Sequence, residues 1–381
     1  MRRTKYCRPS DAFDAWTESL RLGYPLIAAL CAGEYTEYRT DVRRYFADSA
    51  AIRMAHMREA AESRQVEGVS PLLTADQVAE FFREGFLALD SPQISQADIH
   101  WCREILMSLI ARNVGRKEGR LIDISAKEHG DEGVTPQLCR ASLYATELSK
   151  WSYRNMGLAI AKQLLGPDAT LSADNAVFKP SRIGGVTPWH QDEAYNDPLA
   201  YQEQITIWIA LFDTTPANGA MAFIPRSHKL GVLRHRLNGG AREANSIECC
   251  GEFDSTAVKV CPIPAGGITI HHGCTIHGAS RNVSDGPRLG YVLNYKTPPQ
   301  PRPELGSFSW NGQAARHITH KRKLWLLRGG IFMEMLRFLR SDHDNRRHLI
   351  RQVVRRLRHW SHLDAAPAAT IAPRQKTMNL P

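Results

Sequence analysis

Two stretches of the chain carry residues that could hold a metal ion. His190 and Asp192 are separated by one residue, and a third candidate donor, His277, follows far downstream. In an extended segment, side chains at positions i and i+2 point to the same face, so we expect His190 and Asp192 to project together from one strand. Two imidazoles and one carboxylate suit Fe(II) and cover one face of its octahedron, which leaves three positions open for other ligands.

The third donor has competitors within the same stretch of sequence. His271 and His272 lie a few residues before His277, and spacing alone does not choose among the three. A lone histidine is also more often a hydrogen-bonded core residue than a metal ligand, because a buried imidazole needs only a polar partner.

Helices are expected ahead of the segment that carries these residues. A capping box that opens at Thr74 predicts a helix, and Ser95 begins a second one. The pattern predicts a short strand over 85–90 between them. A third helix is expected over 148–165, ended by Gly166. These elements carry no chemical motif of their own, so we expect them to support the site from outside.

Beyond Leu171 the pattern changes to short β segments separated by Gly, Pro, Asn and Asp. The plainest strand covers Gln204–Phe212. The other predicted strands are 176–179, 221–224, 257–261, 268–271, 275–278 and 289–296. Many short strands after a block of helices indicate an antiparallel barrel or jelly roll. We therefore expect a mainly β fold with helical additions (α+β), with the site in the mouth of the barrel.

Composition limits the classes of protein that fit the chain. Its 381 residues suit one large core with helical additions, and it has no run of about 18 apolar residues that could span a membrane. The start is basic, but no long apolar segment follows it and Asp11, Asp14 and Glu18 intervene, so we expect no signal peptide. The eight cysteines include no C-x-x-C pair, which favours reduced thiols. A soluble cytoplasmic protein is expected.

The formal net charge of +10 is concentrated near the C-terminus. Between Lys321 and Arg358, twelve Lys or Arg stand against three acidic residues. The basic character therefore belongs to a tail and says little about the core, and nucleic acid is not an expected partner. An apolar stripe from Leu324 to Leu339 accompanies the arginines, so the tail is a candidate contact for an anionic surface or a partner subunit.

An ordered set of residues in this sequence matches a known pattern. In chain order the matching residues are His190, Asp192, Trp208, Asn218, Gly219, Pro225, Ser227, His228, Gly267, His272, His277, Asn282, Ser284 and Arg288. The pattern resembles the phytanoyl-CoA dioxygenase family of Fe(II)/2-oxoglutarate oxygenases, and the likeness covers roughly 72–298. It implies a cupin-like double-stranded β-helix (jelly roll) and iron held by His190, Asp192 and His277, with 2-oxoglutarate as co-substrate and O2 as oxidant.

The resemblance also assigns residues to the co-substrate. Arg288 matches the family's anchor for the distal carboxylate of 2-oxoglutarate, and a guanidinium can bind a carboxylate through two parallel hydrogen bonds. Arg281 is the alternative anchor. Because a turn precedes Arg288, we expect this residue to open the strand that returns beside His277. Trp208 and Asn175 match positions that line the co-substrate pocket.

The chain departs from the family pattern at one position near the third donor. Relatives often carry a small hydroxylated residue two positions after the distal histidine, whereas this chain has Ala279 followed by Ser280. The segments expected to line the substrate pocket, Glu193–Gln202 and Leu230–Asp254, mix aromatic, polar and charged residues. They do not identify a substrate.

Three parts of the chain are expected: an N-terminal helical extension over 1–70, the dioxygenase domain over 71–300, and a basic helical C-terminal extension over 301–381. The implied reaction is hydroxylation of an unactivated C–H bond of a small-molecule metabolite or biosynthetic intermediate, as in secondary metabolism, with succinate and CO2 as co-products. Two alternatives stay open. One is an inactive jelly-roll scaffold that binds through its basic tail, and the other is a cupin-like metal enzyme that does not use 2-oxoglutarate.

Overall fold

A computed structural model describes residues 72–90, 95–125, 133–196, 200–238, 246–301, 310, 325 and 330–340. The helices are α1 (Ala75–Glu84), α2 (Gln96–Ala111), α3 (Ser152–Leu165) and α4 (Ile331–Arg340). The strands are β1 (Phe86–Leu89), β2 (Leu121–Asp123), β3 (Pro136–Cys139), β4 (Thr170–Lys179), β5 (Thr187–His190), β6 (Ala200–Tyr201), β7 (Gln204–Ala210), β8 (Met221–Phe223), β9 (His235–Leu237), β10 (Ile247–Cys249), β11 (Lys259–Cys261), β12 (Ile268–His272), β13 (His277–Ala279), β14 (Arg288–Lys296) and β15 (Gln300–Pro301). The extension predicted over 1–70 and most of the one beyond 301 lie outside the described residues.

Local signals define the first two helices, as the sequence predicts. The side chain of Thr74 accepts from the N–H of Gln77, and the side chain of Gln77 accepts from the N–H of Thr74. Two backbone donors at the start of α1 are thereby satisfied. The helix ends at Gly85, whose φ of 86° favours glycine, and a Cβ at this position would also collide with the His228 ring. At the start of α2 the side chain of Ser95 accepts from the N–H of Asp98.

The third helix begins later than predicted. Residues Thr146–Lys150 form a 3-10 turn, and Trp151 is extended before α3 starts. In this conformation the Trp151 ring packs against Tyr153 and Tyr291, with ring centroids 4.4 and 5.7 Å away. Burial of a large aromatic side chain therefore overrides helix propensity at this position.

Two antiparallel sheets form the core of the described chain. The larger has the order β1-β12-β7-β14-β4-β3-β2, and the smaller has the order β11-β8-β13-β5. Their facing sides share one apolar cluster, to which the larger sheet contributes Phe86, Trp208 and Val292 and the smaller contributes Met221 and Phe223. The rings of Phe86 and Phe223 stack with centroids 4.6 Å apart. The two facing sheets with helical additions confirm the predicted β-rich jelly-roll class.

The helices cover the outer face of the seven-stranded sheet. One large buried cluster joins Phe81 of α1 and Leu164 of α3 to Ile207 and Leu293 of the central strands. Each fully buried side chain of this kind contributes about 1.5–3 kcal/mol relative to exposure. Because side chains alternate along a strand, Ile207 faces the helices while its neighbour Trp208 points between the sheets.

Two strands that the sequence did not predict extend the larger sheet beyond β4. They are β2 and β3, of three and four residues. Segments this short give no usable period-2 pattern. Most predicted strands are present with shifted ends; the strand expected over 275–278, for example, begins at His277.

The helix α4 packs against the domain that precedes it. Glu334 pairs with Arg120 at 3.2 Å, and Arg337 pairs with Glu118 at 2.8 Å. The guanidinium of Arg337 also lies 4.7 Å from the centre of the Tyr144 ring. Part of the predicted basic tail is therefore helical and contacts its own domain. Among the described residues, no helix has both the length and the hydrophobicity needed to cross a membrane.

Candidate functional site

The structure brings His190, Asp192 and His277 together. His190 ends β5 and His277 begins β13, and the two strands pair with these residues directly opposite each other. One donor atom from each of the three side chains lies within 4.8 Å of the others. The Nε2 atoms of His190 and His277 are 3.8 and 3.7 Å from Oδ1 of Asp192. These distances fit three protein donors around one metal ion.

Asp192 does not share a strand with His190, which corrects the prediction. The strand ends at His190, and a 3-10 turn begins at Asp192. The reason is the residue between them: the backbone N–H of Gln191 donates to Nε2 of His235 instead of to a neighbouring strand. The buried amide of Gln191 donates to two further backbone carbonyls. Anchored in this way, Gln191 ends the strand, and the turn still brings both candidate donors to one side.

Hydrogen bonds orient both imidazoles for metal binding. Nδ1 of His190 lies 2.8 Å from the carbonyl oxygen of Pro188, and Nδ1 of His277 lies 2.9 Å from that of Thr275. Since a carbonyl only accepts, each Nδ1 carries the proton and each Nε2 presents a lone pair toward Asp192. Burial lowers the pKa of His190 and holds the pKa of His277 well below its usual value. Both rings are therefore neutral, as a metal ligand must be.

The two oxygens of the Asp192 carboxylate have different surroundings. Oδ1 faces His190 and His277, whereas Oδ2 accepts from the hydroxyl of Thr206 and lies 3.4 Å from Nε2 of His271. Burial alone would raise the pKa of Asp192. The polar contact with His271, together with the nearby His277 and His190 rings, outweighs burial and holds that pKa well below its usual range. The carboxylate is therefore ionised.

A chain of hydrogen bonds runs from Asp192 across the larger sheet. The hydroxyl of Thr206 accepts from Nδ2 of Asn294 at 2.8 Å, and Oδ1 of Asn294 accepts from Nδ2 of Asn175 at 3.2 Å. The N–H of Arg140 in turn lies 3.4 Å from Oδ1 of Asn175. The predicted pocket residue Asn175 is thus connected to the carboxylate through two side chains.

Arg288 opens β14, but this strand does not run beside His277 as predicted. It pairs with β4 and β7 in the seven-stranded sheet, whereas His277 lies in the smaller sheet. The turn held by the Asn282 side chain redirects the chain from one sheet to the other. Arg288 therefore reaches the cavity from the opposite side.

The guanidinium of Arg288 is buried with unfilled donor positions. The residue is 1% exposed, and its Nε and Nη2 have no hydrogen-bond partner within the described residues. Burial lowers the pKa of Arg288 to about 9. A buried cation with free N–H groups is costly until an anion pairs with it, so this position fits a carboxylate ligand. Arg281, the alternative anchor, is exposed and does not line the cavity.

The indole ring of Trp208 packs against Arg288. The guanidinium carbon lies 4.2 Å from the ring centroid, a favourable distance for a cation over an aromatic face. Gly290 makes this contact possible, because a Cβ there would lie 2.1 Å from the indole. Trp208 is therefore both a core residue and a wall of the site.

One cavity of about 430 Å³ is lined by all six predicted site residues. They are His190, Asp192, His277, Arg288, Trp208 and Asn175. From the two segments predicted to line the substrate pocket, Tyr195, Asn196 and Ser246 reach the cavity. The unpredicted strands β2 and β3 contribute Ile122 and Gln137 to its wall.

Thr206, Asn294 and Lys296 line the cavity although the sequence did not predict them. Thr206 lies two residues before Trp208 on the same strand, and Asn294 and Lys296 lie six and eight residues after Arg288. Because every second residue of a strand points to the same face, the sequence could have predicted all three. Of the competing histidines, His272 does not line the cavity, and its ring pairs with Glu203 at 3.2 Å. His271 does line it.

Comparison with known proteins supports the same family as the sequence pattern. A family model described as phytanoyl-CoA dioxygenase (PhyH) matches residues 30–290. Phytanoyl-CoA dioxygenase domain-containing protein 1 of Rattus norvegicus is 30% identical over 123 residues, which cover 31% of this chain and 42% of that protein. A probable alpha-ketoglutarate-dependent hypophosphite dioxygenase of Stutzerimonas stutzeri is 32% identical over 139 residues, which cover 36% and 48%. The chain thus spans about half the length of these relatives.

A solved structure shares the fold over most of its own length. EvdO2 from Micromonospora carbonacea var. aurantiaca, crystallised in complex with 2-oxoglutarate, matches with a TM-score of 0.52 and 25% identity. The match covers 64% of this chain and 98% of EvdO2.

Proposed function

The chain belongs to the phytanoyl-CoA dioxygenase family, and from this membership we propose that it is an Fe(II)- and 2-oxoglutarate-dependent dioxygenase. His190, Asp192 and His277 hold the iron, and Arg288 anchors the co-substrate. The observation that carries the proposal is that three donors within 4.8 Å of one another share a cavity with the buried guanidinium of Arg288, whose Nε and Nη2 have no partner among the described residues. The similar protein EvdO2 was crystallised with 2-oxoglutarate, which supports the same co-substrate here.

The residues of the chain bind, orient and shield the reactants. When bound, iron and 2-oxoglutarate supply the oxidising chemistry, in which O2 is consumed and succinate and CO2 are released. Arg288 binds the distal carboxylate of the co-substrate, and Trp208 covers the guanidinium so that the ion pair forms away from water. Thr206, supported by Asn294, holds the Asp192 carboxylate in place.

The substrate in this proposal is a small-molecule metabolite or biosynthetic intermediate, hydroxylated at an unactivated C–H bond, as in secondary metabolism. Apolar side chains such as Ile122, Ile124 and Val292 line the cavity together with the amides of Gln137 and Asn196. Such a wall suits a compact ligand with an apolar body and a few polar groups.

The proposal extends to the organisation of the chain. The catalytic domain covers 71–300 and is flanked by extensions over 1–70 and 301–381, in a cytoplasmic protein. The basic tail is a candidate contact for an anionic surface or a partner subunit, besides the ion pairs that α4 makes with its own domain. Salt-sensitive binding to anionic vesicles is the test of a surface contact, and its absence removes that role.

The test of the reaction is anaerobic reconstitution with Fe(II) and 2-oxoglutarate, followed by addition of O2. We expect succinate formation that depends on all three components and rises when a metabolite screen supplies the substrate. Asp192→Ala and His277→Ala should form no succinate, and full turnover by either variant would refute the metal assignment.

Arg288→Ala separates this proposal from a metal enzyme that does not use 2-oxoglutarate. The variant should still bind metal while losing affinity for the co-substrate. If the native protein binds metal but not 2-oxoglutarate, the cupin-like alternative is favoured. If it binds neither, the inactive scaffold is favoured.

A further inference from the structure

His271 is a buried imidazole that makes no hydrogen bond to the part of the chain that the structure describes. It is 1% exposed, and neither ring nitrogen has a partner within the described residues. An unsatisfied buried polar group is unfavourable, so a side chain in this state usually meets a partner in the working protein. His271 also lines the cavity, and it lies in β12 of the seven-stranded sheet, opposite the sheet that carries His190 and His277.

The surroundings of His271 point to one acceptor. Its Nε2 lies 3.4 Å from Oδ2 of Asp192, while its ring is 4.1 Å from the His277 ring and 5.4 Å from the Phe223 ring, centroid to centroid. The hydroxyl of Thr206 already donates to the same Oδ2. Oδ1, by contrast, faces His190 and His277.

We propose that His271 is a positioning residue of the metal centre. It donates from Nε2 to Oδ2 of Asp192 and, together with Thr206, keeps this oxygen away from the ion, so that Asp192 binds through Oδ1 alone. The inference rests on the proposed function only in requiring a metal ion at His190, Asp192 and His277.

The number of Asp192 oxygens bound to the metal ion determines how many of its coordination positions stay open. Three single donors leave three positions on an octahedral ion, and a second oxygen from Asp192 would take one of them. A chelating co-substrate needs two positions and O2 needs one. Two hydrogen bonds to Oδ2 therefore preserve the position that the reaction requires.

Direct ligation by His271 fits the geometry less well. Within the described residues, the donor atoms that converge within 4.8 Å belong to His190, Asp192 and His277, and His271 is outside this group. Its Nε2 faces the oxygen that points away from the other two imidazoles.

The test counts water on the ion and needs neither turnover nor co-substrate. Mn(II) is titrated into the native protein, His271→Phe and His271→Gln, and its affinity and the water-proton relaxation per bound ion are measured. Native protein should retain three exchangeable waters. His271→Phe should lower Mn(II) affinity by about tenfold, well short of the loss in His277→Ala, and should lose one water, which lowers inner-sphere relaxation by roughly one third. His271→Gln, which retains an N–H donor, should recover most of the native value.

Thr269→Val is the matched control on the same strand. Thr269 is fully buried, its hydroxyl has no partner within the described residues, and it does not line the cavity, so its variant should keep the native water count. Unchanged relaxation in His271→Phe would overturn the inference, as would failure of His271→Gln to restore it. A loss of Mn(II) affinity as large as in His277→Ala would make His271 a ligand and also overturn it. If native protein binds Mn(II) normally but not 2-oxoglutarate, the proposed function fails while this inference stands.

Discussion

The two sheets bring different kinds of side chain to the same cavity. The smaller sheet contributes His190 and His277, whose Nδ1 atoms are already bound to carbonyl oxygens. The larger sheet contributes His271 and Arg288, whose buried nitrogens have no partner within the described residues. The first side is therefore already oriented by backbone carbonyls, whereas the second presents donors to the cavity.

The local backbone orients the two imidazoles of the smaller sheet. His190 and His277 lie at the ends of strands of four and three residues, where the carbonyl two residues earlier accepts from Nδ1. His271 lies inside β12, between β1 and β7, and its ring nitrogens make no such bond within the described residues. Arg288 begins β14, and its Nε and Nη2 likewise have no partner there.

The largest effect should follow from removing a donor on the oriented side. His277→Ala is expected to lower the affinity for Fe(II) or Co(II) by at least about 100-fold, because loss of a ligand exceeds the 10–100-fold effect of losing an outer partner. Anaerobic titration with circular dichroism as a folding control measures this. Affinity within about threefold of the native value would place the metal elsewhere.

Removing the guanidinium on the side of the larger sheet should affect the co-substrate and leave the metal in place. Arg288→Leu eliminates two charge-assisted hydrogen bonds of about 1.5 kcal/mol each, so the Kd for 2-oxoglutarate should rise about 100-fold. Metal affinity should stay unchanged. Arg288→Lys should give a Kd for 2-oxoglutarate between those of native protein and Arg288→Leu. Because the native guanidinium is buried and its Nε and Nη2 have no partner in the described part of the chain, the Arg288→Leu variant should melt higher than native protein when no ligand is present. Equal loss of metal and co-substrate affinity would remove the distinction between the two sides.

Two buried histidines that are not metal donors, His228 and His235, should make stability depend on pH. Each has a ring nitrogen at a backbone carbonyl oxygen. Burial lowers the pKa of His228 to about 3 and that of His235 to about 4. In the unfolded chain a histidine has a pKa of about 6.5, so below that pH the unfolded state binds more protons than the folded state. The free energy of unfolding is therefore at its full value above about pH 6.5 and declines as the pH falls toward 4. At pH 5 each of the two histidines should lower the free energy of unfolding by on the order of 2 kcal/mol. Urea unfolding at pH 7 and pH 5 measures this, and equal free energies of unfolding would contradict it.

The smallest effect should come from the aromatic wall beside the guanidinium. Trp208→Leu removes the face that lies 4.2 Å from Arg288, a contact worth about 1 kcal/mol. The Kd for 2-oxoglutarate should rise about fivefold, while Trp208→Phe should stay within about twofold of native. A change as large as that of Arg288→Leu would mean that Trp208 positions the whole strand.

Features that depend on neighbouring residues were predictable from the sequence. The capping box at Thr74 locates α1, and the alternation of Gln204–Phe212 locates β7, because each signal lies within one segment. The sequence also predicts that the six site residues meet, because their order along the chain matches a family pattern, and they do line one cavity.

Features that depend on contacts between distant segments were not predictable. Asp192 leaves the strand because Gln191 hydrogen-bonds to His235 and to the carbonyls of Gly231 and Cys274, and nothing near Asp192 in the sequence specifies these partners. The sheet that receives Arg288 likewise follows from the pairing of whole strands.

The measurement that tests the central claim most directly is a crystal structure of the protein loaded anaerobically with Fe(II) and 2-oxoglutarate, with iron located by anomalous scattering at its absorption edge. We predict one iron peak in contact with Nε2 of His190, Nε2 of His277 and Oδ1 of Asp192, and a 2-oxoglutarate carboxylate paired with Arg288. An iron peak that does not contact these three side chains, or a co-substrate bound away from Arg288, would contradict the proposed site.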